Sequence, residues 1–175
     1  IDLMGRIKKS MISDLGPGYV PTAADVVVEA MLAEERFGRK NLKGFYSYPT
    51  DKNGKKRLWE GLAEHFPLAE VQPSTGAVQE RLIYRQLVEC IRCMEEGVLV
   101  TPADGDLGAI FGWGFAPFTG GPFSMVDTLG APSVLETLTR LEGEHGERFA
   151  PPQLLRDMAR DGRSFHGGTG EALAA

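Results

Sequence analysis

The sequence is poor in the features that mark several large classes of protein. Two cysteines among 175 residues cannot supply a disulfide framework, and such sparing use fits a reducing compartment. No apolar run approaches the roughly 20 residues that a membrane-spanning helix needs. Acidic residues outnumber basic ones by 24 to 19, for a formal charge of −5. Nucleic acids and anionic membranes are therefore not expected as partners, because both select a clustered positive surface.

Alternation of apolar and polar residues, the signal of half-buried strands, is also missing, and helical spacing takes its place. The clearest case is 75–96, where apolar residues recur with a period near 3.6. Other helices are predicted over 2–13, 23–37, 58–66, 122–129, 132–144 and 151–161, with one more starting at Pro102 and a short extended stretch near 45–48. The predicted fold class is all-α.

Capping and core signals refine this prediction. Thr22 and Asp25 have the spacing of a capping box, and so do Thr101 and Asp104. In a capping box, each of the two side chains accepts a hydrogen bond from a backbone N–H group that has no partner within the helix. Glu34, Glu35 and Arg36 are expected to be solvated. Nine residues of the second half are expected in the core: Leu87, Ile91, Phe111, Trp113, Phe115, Phe123, Leu129, Leu138 and Leu154.

A pattern of motifs occurs twice, in the same order. Each copy has an Asp-x-x-Gly turn, an aromatic-x-Pro helix entry, an apolar helix ending near a Met, and a Gly/Arg segment that closes on Phe. The second copy runs from Gly121 to Phe165 and follows a long helix and a Gly-rich aromatic loop, whereas no such helix and loop come before the first copy, which starts at Asp2. The repeat predicts a truncated unit over 1–66, a linker over 67–73, a complete unit over 74–167 and a flexible tail over 168–175.

The motifs of 79–165 resemble those of the 3-hydroxyacyl-CoA dehydrogenase C-terminal domain. The tandem arrangement is similar to that in α-subunits of multifunctional fatty-acid β-oxidation complexes. The resembling residues are Glu95-Glu96-Gly97, Pro102-x-Asp104-x-Asp106, Gly112-x-Gly114-Phe115-x-Pro117, Gly121-Pro122-Phe123 and Asp127-x-x-Gly130, with Gly38-Arg39-Lys40-x-x-Lys43-Gly44-Phe45-Tyr46 closing the first copy.

The resemblance implies a parent that oxidises 3-hydroxyacyl-CoA with NAD, with an upstream dinucleotide-binding domain, an enoyl-CoA hydratase domain, a thiolase β-subunit as partner and a bacterial-type cytoplasmic location. In that family the catalytic His–Glu pair and a substrate-proximal Asn precede the region that matches Ile1. No G-x-G-x-x-G follows a strand here. No catalytic, cofactor-binding or metal residue is therefore assigned. The expected role is architectural, with Asp2, Leu3 and Gly5 lining the acyl-CoA cleft and with self-association of the chain.

Other candidates for chemistry have simpler interpretations. His65, His145 and His166 each lack a predicted pocket, and Cys90-x-x-Cys93 lies in mid-helix without a second ligand pair, so it is interpreted as two core-facing thiols. Gly112-x-Gly114 and Gly120-Gly121 lack the Gly-Lys-Ser/Thr of a phosphate loop and favour close helix packing. A basic cluster is interpreted as a solvated loop, with a CoA phosphate contact as the alternative: Lys40, Lys43, Lys52, Lys55, Lys56 and Arg57.

Two other functional hypotheses stay open at this point. A standalone helical interaction module would need no enzymatic parent. A self-contained enzyme would have to use His145 or the cysteine pair, and would show activity in the isolated chain.

Overall fold

The computed structural model describes residues 1–51 and 53–167. Helices dominate these residues, and the predicted all-α class is confirmed. The chain divides into two compact units, unit 1 (Ile1–Gln72) and unit 2 (Pro73–Ala175). The finer predicted boundaries around a 67–73 linker stay a prediction, and the predicted tail at 168–175 lies outside the described residues.

Unit 1 is a helical hairpin followed by a small strand pair. Helix α1 (Asp2–Leu15) ends at Gly16, where φ is 50°, and α2 (Ala23–Ala33) begins with the predicted Thr22–Asp25 capping box. Strands β1 (Tyr46–Ser47) and β2 (Arg57–Leu58) pair antiparallel, and α3 (Leu62–His65) follows. Two predicted bounds are wrong: α2 ends at Ala33 rather than near 37, and the helix predicted over 58–66 is confined to α3.

The described residues of unit 2 form five helices, and every bound that was predicted lies within two residues of the observed one; for α5 only the start was predicted. Its elements are α4 (Thr75–Glu95), α5 (Pro102–Trp113), α6 (Pro122–Leu129), α7 (Ala131–His145) and α8 (Gln153–Asp161). The Ser74 hydroxyl accepts a hydrogen bond from the Ala77 N–H group, and Thr101 accepts one from Asp104, so α4 and α5 both have side-chain N-caps. Gly130, with φ of 83°, permits the sharp bend between α6 and α7.

The apolar core of unit 2 is formed mainly by α4, α6, α7 and α8. Five of the nine predicted core residues are buried, and Leu154 packs against them partly buried. The buried five are Leu87, Ile91, Phe115, Phe123 and Leu138.

The prediction is wrong for Phe111, Trp113 and Leu129, whose exposed fractions are 83%, 58% and 39%. Phe111 and Trp113 are exposed because the side of α5 that faces the core has no room for large side chains. A Cβ atom at Gly105 would overlap the ring of Phe123, so α5 approaches the core too closely to turn large side chains inward. Its buried residues are Gly105, Asp106 and Ala109.

Candidate functional site

The three residues predicted to line a substrate cleft lie in the first turn of α1. The Asp2 carboxylate accepts a hydrogen bond from Lys40 Nζ at 3.0 Å, and this bond lowers the pKa of Asp2. Leu3 is 64% exposed, whereas Gly5 is buried against Leu32. The predicted Asp-x-x-Gly turn is wrong as a loop in both units: Asp127 lies in the last turn of α6, which ends at Gly130, and Asp2 lies in the first turn of α1. Only Leu3 of the three offers an apolar surface to a ligand.

The exposed side of α1 is strongly apolar. A cavity of about 300 Å³ beside it is lined by Met4, Ile7 and Met11 together with Tyr19 and Val28. Met4, Ile7 and Met11 are each close to half exposed. The cavity is also lined by Lys8 and Asp25, whose Nζ and Oδ1 atoms lie 3.6 Å apart, so the charged groups beside this face are engaged in an ion pair.

Arg36, expected in solvent, is instead buried at 7% exposure. Its Nε donates a hydrogen bond to the Gly44 carbonyl at 2.8 Å and its Nη2 donates one to Ser47 Oγ at 3.1 Å. The guanidinium also lies 4.1 Å from the centroid of the Trp59 ring, a cation–π arrangement. Burial lowers the pKa of Arg36. Its partners come later in the chain, so no local signal in the sequence predicted this burial.

In unit 1, Arg36 holds the segment that closes the first copy of the repeat. In unit 2, the segment that closes the second copy is held by the carboxylate of Asp127. Asp127 accepts hydrogen bonds from the backbone N–H groups of Phe165 and His166, at 2.7 and 2.8 Å. The His166 ring lies between Asp127 and Asp106, with N···O distances of 2.9 and 3.3 Å. His166 therefore contacts two carboxylates near the end of the described residues.

The backbone N–H groups that follow Gly120-Gly121, which could in principle bind a phosphate, are already bound by the carboxylate of Asp106. Its carboxylate accepts hydrogen bonds from the backbone N–H groups of Phe123 and Ser124 at 2.7 and 3.1 Å, at the start of α6. A Cβ atom at Gly121 would lie 2.5 Å from this carboxylate. Gly121 therefore serves close packing, as the sequence indicated. The same interpretation is wrong for Gly112 and Gly114, where an added Cβ atom would meet no atom within 4 Å.

The remaining histidines have single carboxylate neighbours. His65 Nε2 lies 3.1 Å from Glu34 Oε1, and His145 Nε2 lies 3.7 Å from Glu144 Oε2. Neither arrangement adds the nucleophile and the oriented base that a catalytic site needs. Within residues 1–51 and 53–167, no group of three His, Cys, Asp or Glu side chains could hold a metal ion.

The two cysteines differ in their surroundings. Cys90 is buried in the core of unit 2, and desolvation raises the pKa of its thiol to about 12. Cys93 is half-buried. A redox pair needs a thiolate, which burial of Cys90 disfavours, so the geometry supports the interpretation of Cys90 as a core residue.

Two lysines of the basic cluster contact other residues of unit 1, and three other members are exposed to solvent. Lys40 pairs with Asp2, and Lys56 Nζ lies 4.5 Å from the centroid of the Tyr46 ring. A polar cavity of about 690 Å³ includes Lys56 but also the carboxylate of Asp51. Lys43, Lys55 and Arg57 are exposed, and Lys52 lies outside the described residues. The CoA phosphate contact remains a prediction.

A groove between α4 and α5 was not predicted. It has a volume of about 680 Å³ and a floor of small residues that includes Gly105, Gly108 and Gly112. The signal was available in the spacing of these glycines, but the sequence did not show which side of α5 faces the core.

Comparison with known proteins agrees with the motifs. The family described as 3-hydroxyacyl-CoA dehydrogenase, C-terminal domain, matches residues 76–171. A fatty acid oxidation complex subunit alpha from Shewanella amazonensis is 39% identical over 170 residues, which is 95% of this chain and 23% of the relative. The same-named subunit from Shewanella loihica is 43% identical over 169 residues, with the same coverage.

The chain thus spans about a quarter of the length of these relatives. No helix of the described residues is long and apolar enough to cross a bilayer. The predicted resemblance is confirmed, and the match to the family covers more than half of the sequence. This chain belongs to the family of 3-hydroxyacyl-CoA dehydrogenase C-terminal domains.

Proposed function

We propose that this chain is the helical C-terminal part of a fatty-acid-oxidation α-subunit and has an architectural role there. It walls one side of the acyl-CoA cleft, stabilises the dehydrogenase domain and supplies an association surface. It contributes no catalytic residue. The observation that carries this proposal is the uncovered apolar face of α1, in a chain that spans 23% of its relatives.

The two units support this role by contrast. In unit 2, α7 and α8 pack together and both contact α4, and α6 also contacts α7. In unit 1, α1 packs on α2, but Leu3, Met4, Ile7 and Met11 stay about half exposed or more. Exposed apolar faces of this kind mark interaction sites. The parent would cover this face with another of its elements or with bound substrate.

The chemistry belongs to other parts of the parent. We infer that an upstream domain binds NAD and removes hydride from the 3-hydroxyacyl-CoA, that a hydratase domain precedes it, and that a thiolase subunit binds the assembly in a bacterial cytoplasm. Residues of this chain hold neither the cofactor nor the reacting carbon. Leu3, and less directly Asp2 and Gly5, would contact the acyl-CoA.

Substitution of Leu3 by Glu in the full-length α-subunit tests the cleft-lining role. Because a carboxylate would be desolvated beside an acyl chain, we expect KM for the acyl-CoA to rise several-fold. Val71→Glu is the matched control, because Val71 is 84% exposed. Unchanged KM and kcat in Leu3→Glu would rule out contact between Leu3 and substrate.

An assay of the isolated chain tests the absence of catalysis. We expect no NAD reduction with 3-hydroxyacyl-CoA at any chain concentration. Turnover that disappears in His145→Gln would contradict the proposal and favour a self-contained enzyme.

A further inference from the structure

We propose that a cavity in unit 2 binds a small organic anion that carries a short apolar chain. The cavity has a volume of about 250 Å³ and is formed by α4 and by the single helical turn Glu147–Phe149. Three arginines and three apolar residues line it: Arg81, Arg85, Arg148, Val78, Leu82 and Phe149. The inference goes beyond the architectural role proposed above and does not rest on it.

Four of the lining residues share one face of α4. A spacing of i, i+3, i+4, i+7 places them on the same side of the helix: Val78, Arg81, Leu82 and Arg85. Val78 is 38% exposed and Leu82 is 61% exposed, so the core of unit 2 does not cover this face. Charged and apolar side chains therefore meet on it, with each arginine about one turn from an aliphatic residue.

The opposite wall of the cavity is anchored in the core. Phe149 is 2% exposed and belongs to the buried cluster of unit 2, so close packing holds this wall in place. The guanidinium carbon of Arg148 lies 5.5 Å from the centroid of the Phe149 ring, which is within the range of a cation–π contact. This contact keeps the guanidinium beside the cavity without engaging a carboxylate, so its positive charge stays available to a ligand.

The positive charge of this cavity is only partly compensated. Arg85 pairs with Glu89, and Glu80, the acidic residue next to Arg81 in the sequence, pairs instead with an arginine of α7 at 2.7 Å. Among the residues that the structure describes, neither Arg81 nor Arg148 forms an ion pair with a carboxylate. In a chain of net charge −5, two uncompensated arginines beside an apolar surface indicate a place for an anion.

The lining residues define the chemistry of the ligand. A guanidinium binds a carboxylate or a phosphate through two parallel N–H donors, and Arg81 and Arg148 offer this recognition to the charged end. Val78, Leu82 and Phe149 offer an apolar surface to the rest of the molecule. At about 250 Å³ the cavity is smaller than the sites of about 300–1,000 Å³ that hold drug-sized ligands. The ligand class is therefore a short alkyl chain that ends in a carboxylate or a phosphate.

Titration of the 175-residue chain, followed by NMR of its amides, tests the proposal. Hexanoate and hexyl phosphate are the probes, while hexanol and inorganic phosphate supply the chain and the charge alone. We expect saturable shifts at residues 78–85 and 148–149, with a Kd for the better probe at least about fivefold below that of either single-feature compound. The better probe identifies the charged group. No saturable shift with either probe would overturn the proposal, as would hexanol or inorganic phosphate binding as tightly as the better probe.

Arg81→Gln and Arg148→Gln test the charged half of the site. Each removes a positive charge and its paired N–H donors, so the better probe should bind at least about fivefold more weakly. Arg148 is exposed, so its variant should keep the fold. Arg163→Gln is the matched control, because Arg163 is an exposed arginine of unit 2 that pairs with Asp161, and Kd should stay unchanged. An equal loss in all three variants would show a response to net charge and would overturn the proposal.

Leu82→Ser tests the apolar half of the site. In the wild-type chain, Kd should fall as the alkyl chain lengthens from acetate to hexanoate, or along the matching series of alkyl phosphates. Because Leu82 is exposed, the variant should keep its fold, yet the dependence of Kd on chain length should be about halved or less. Leu107→Ser, at a position 55% exposed on α5, is the matched control and should retain the wild-type dependence. An unchanged dependence in Leu82→Ser would mean that the alkyl chain does not lie on this face of α4, against the proposal.

Discussion

The two units are stabilised in different ways. Unit 2 has a continuous apolar core that includes Leu87, Ile91, Phe123 and Leu138. Of the large apolar residues in unit 1, only Val28 and Met31 are buried, while a buried arginine organises the loop after α2. Apolar burial supplies most of the free energy of folding, so unit 2 has the larger intrinsic source of stability. Unit 1 therefore depends more on hydrogen bonds, such as those that Arg36 donates.

The Gly/Arg segment that closes each copy of the repeat is held in both units, but by side chains of opposite charge. In unit 1 a cation, Arg36, donates to the backbone carbonyl of Gly44. In unit 2 an anion, Asp127, accepts from the backbone N–H groups of Phe165 and His166. Related motifs can therefore be fixed by side chains of opposite charge, provided that each one satisfies backbone groups of the right kind.

The largest expected effect tests whether unit 2 depends on its core. Leu138→Ala should lower the free energy of unfolding by about 2–5 kcal/mol, because Leu138 is fully buried and the cavity cannot fill. Chemical denaturation of unit 2 measures it. Leu82→Ala, at a site 61% exposed, is the control and should stay within about 0.5 kcal/mol of wild type. Equal effects at both sites would contradict the dependence of unit 2 on its buried core.

The next effect tests whether unit 1 depends on its buried cation. Arg36→Met would leave the Gly44 carbonyl oxygen without the donor Nε of Arg36, at a loss of about 1–3 kcal/mol. Hydrogen exchange of the amide of Tyr48, which donates to the Leu42 carbonyl, should accelerate. Arg36→Lys keeps the charge but lacks the planar fork, so it should restore protection only in part. Wild-type protection in Arg36→Met would mean that other contacts hold this loop.

Much of this contrast could be predicted from sequence, but not all of it. The ends of the unit 2 helices follow from local residues such as Thr101, Pro122 and Gly130. The burial of Arg36 depends on Trp59, which follows it by 23 positions, and no local pattern reports such a contact. Phe111 was misplaced because hydrophobicity shows that a side chain needs cover without showing that Gly105 brings the other face of α5 to the core.

A smaller effect should appear at alkaline pH in unit 2, where both cysteines lie. Burial raises the pKa of Cys90 to about 12 from an ordinary value of 9.0. The unfolded state therefore loses its thiol proton first, and stability falls as pH rises from about 9 towards 12. Denaturation at several pH values should show this decline, and Cys90→Ala should reduce it. Alkylation of Cys90 as fast as Cys93 at pH 8 would contradict its burial.

The smallest effect should appear at acid pH in unit 1. The pKa of Asp25 is lowered to about 2 from 3.8, chiefly because its carboxylate accepts the Thr22 backbone N–H at 2.6 Å, with help from the Tyr19 hydroxyl. Its contribution is complete above pH 3.8 and is lost as pH falls towards 2. Amide exchange at the start of α2 should accelerate in that range, and Asp25→Asn should remove most of the pH dependence.

The carboxylate of Asp127 also bears on the order in which unit 2 is completed during synthesis. Asp127 is translated 38 residues before Phe165, whose amide it accepts, an interval of about 2 to 8 seconds at 5–20 residues per second. In that interval the Phe123 ring lacks its edge-on neighbour Phe165, 4.7 Å away in the finished fold. The edge of the Phe123 ring therefore stays exposed to water until the segment around Phe165 has been synthesised and has bound to Asp127.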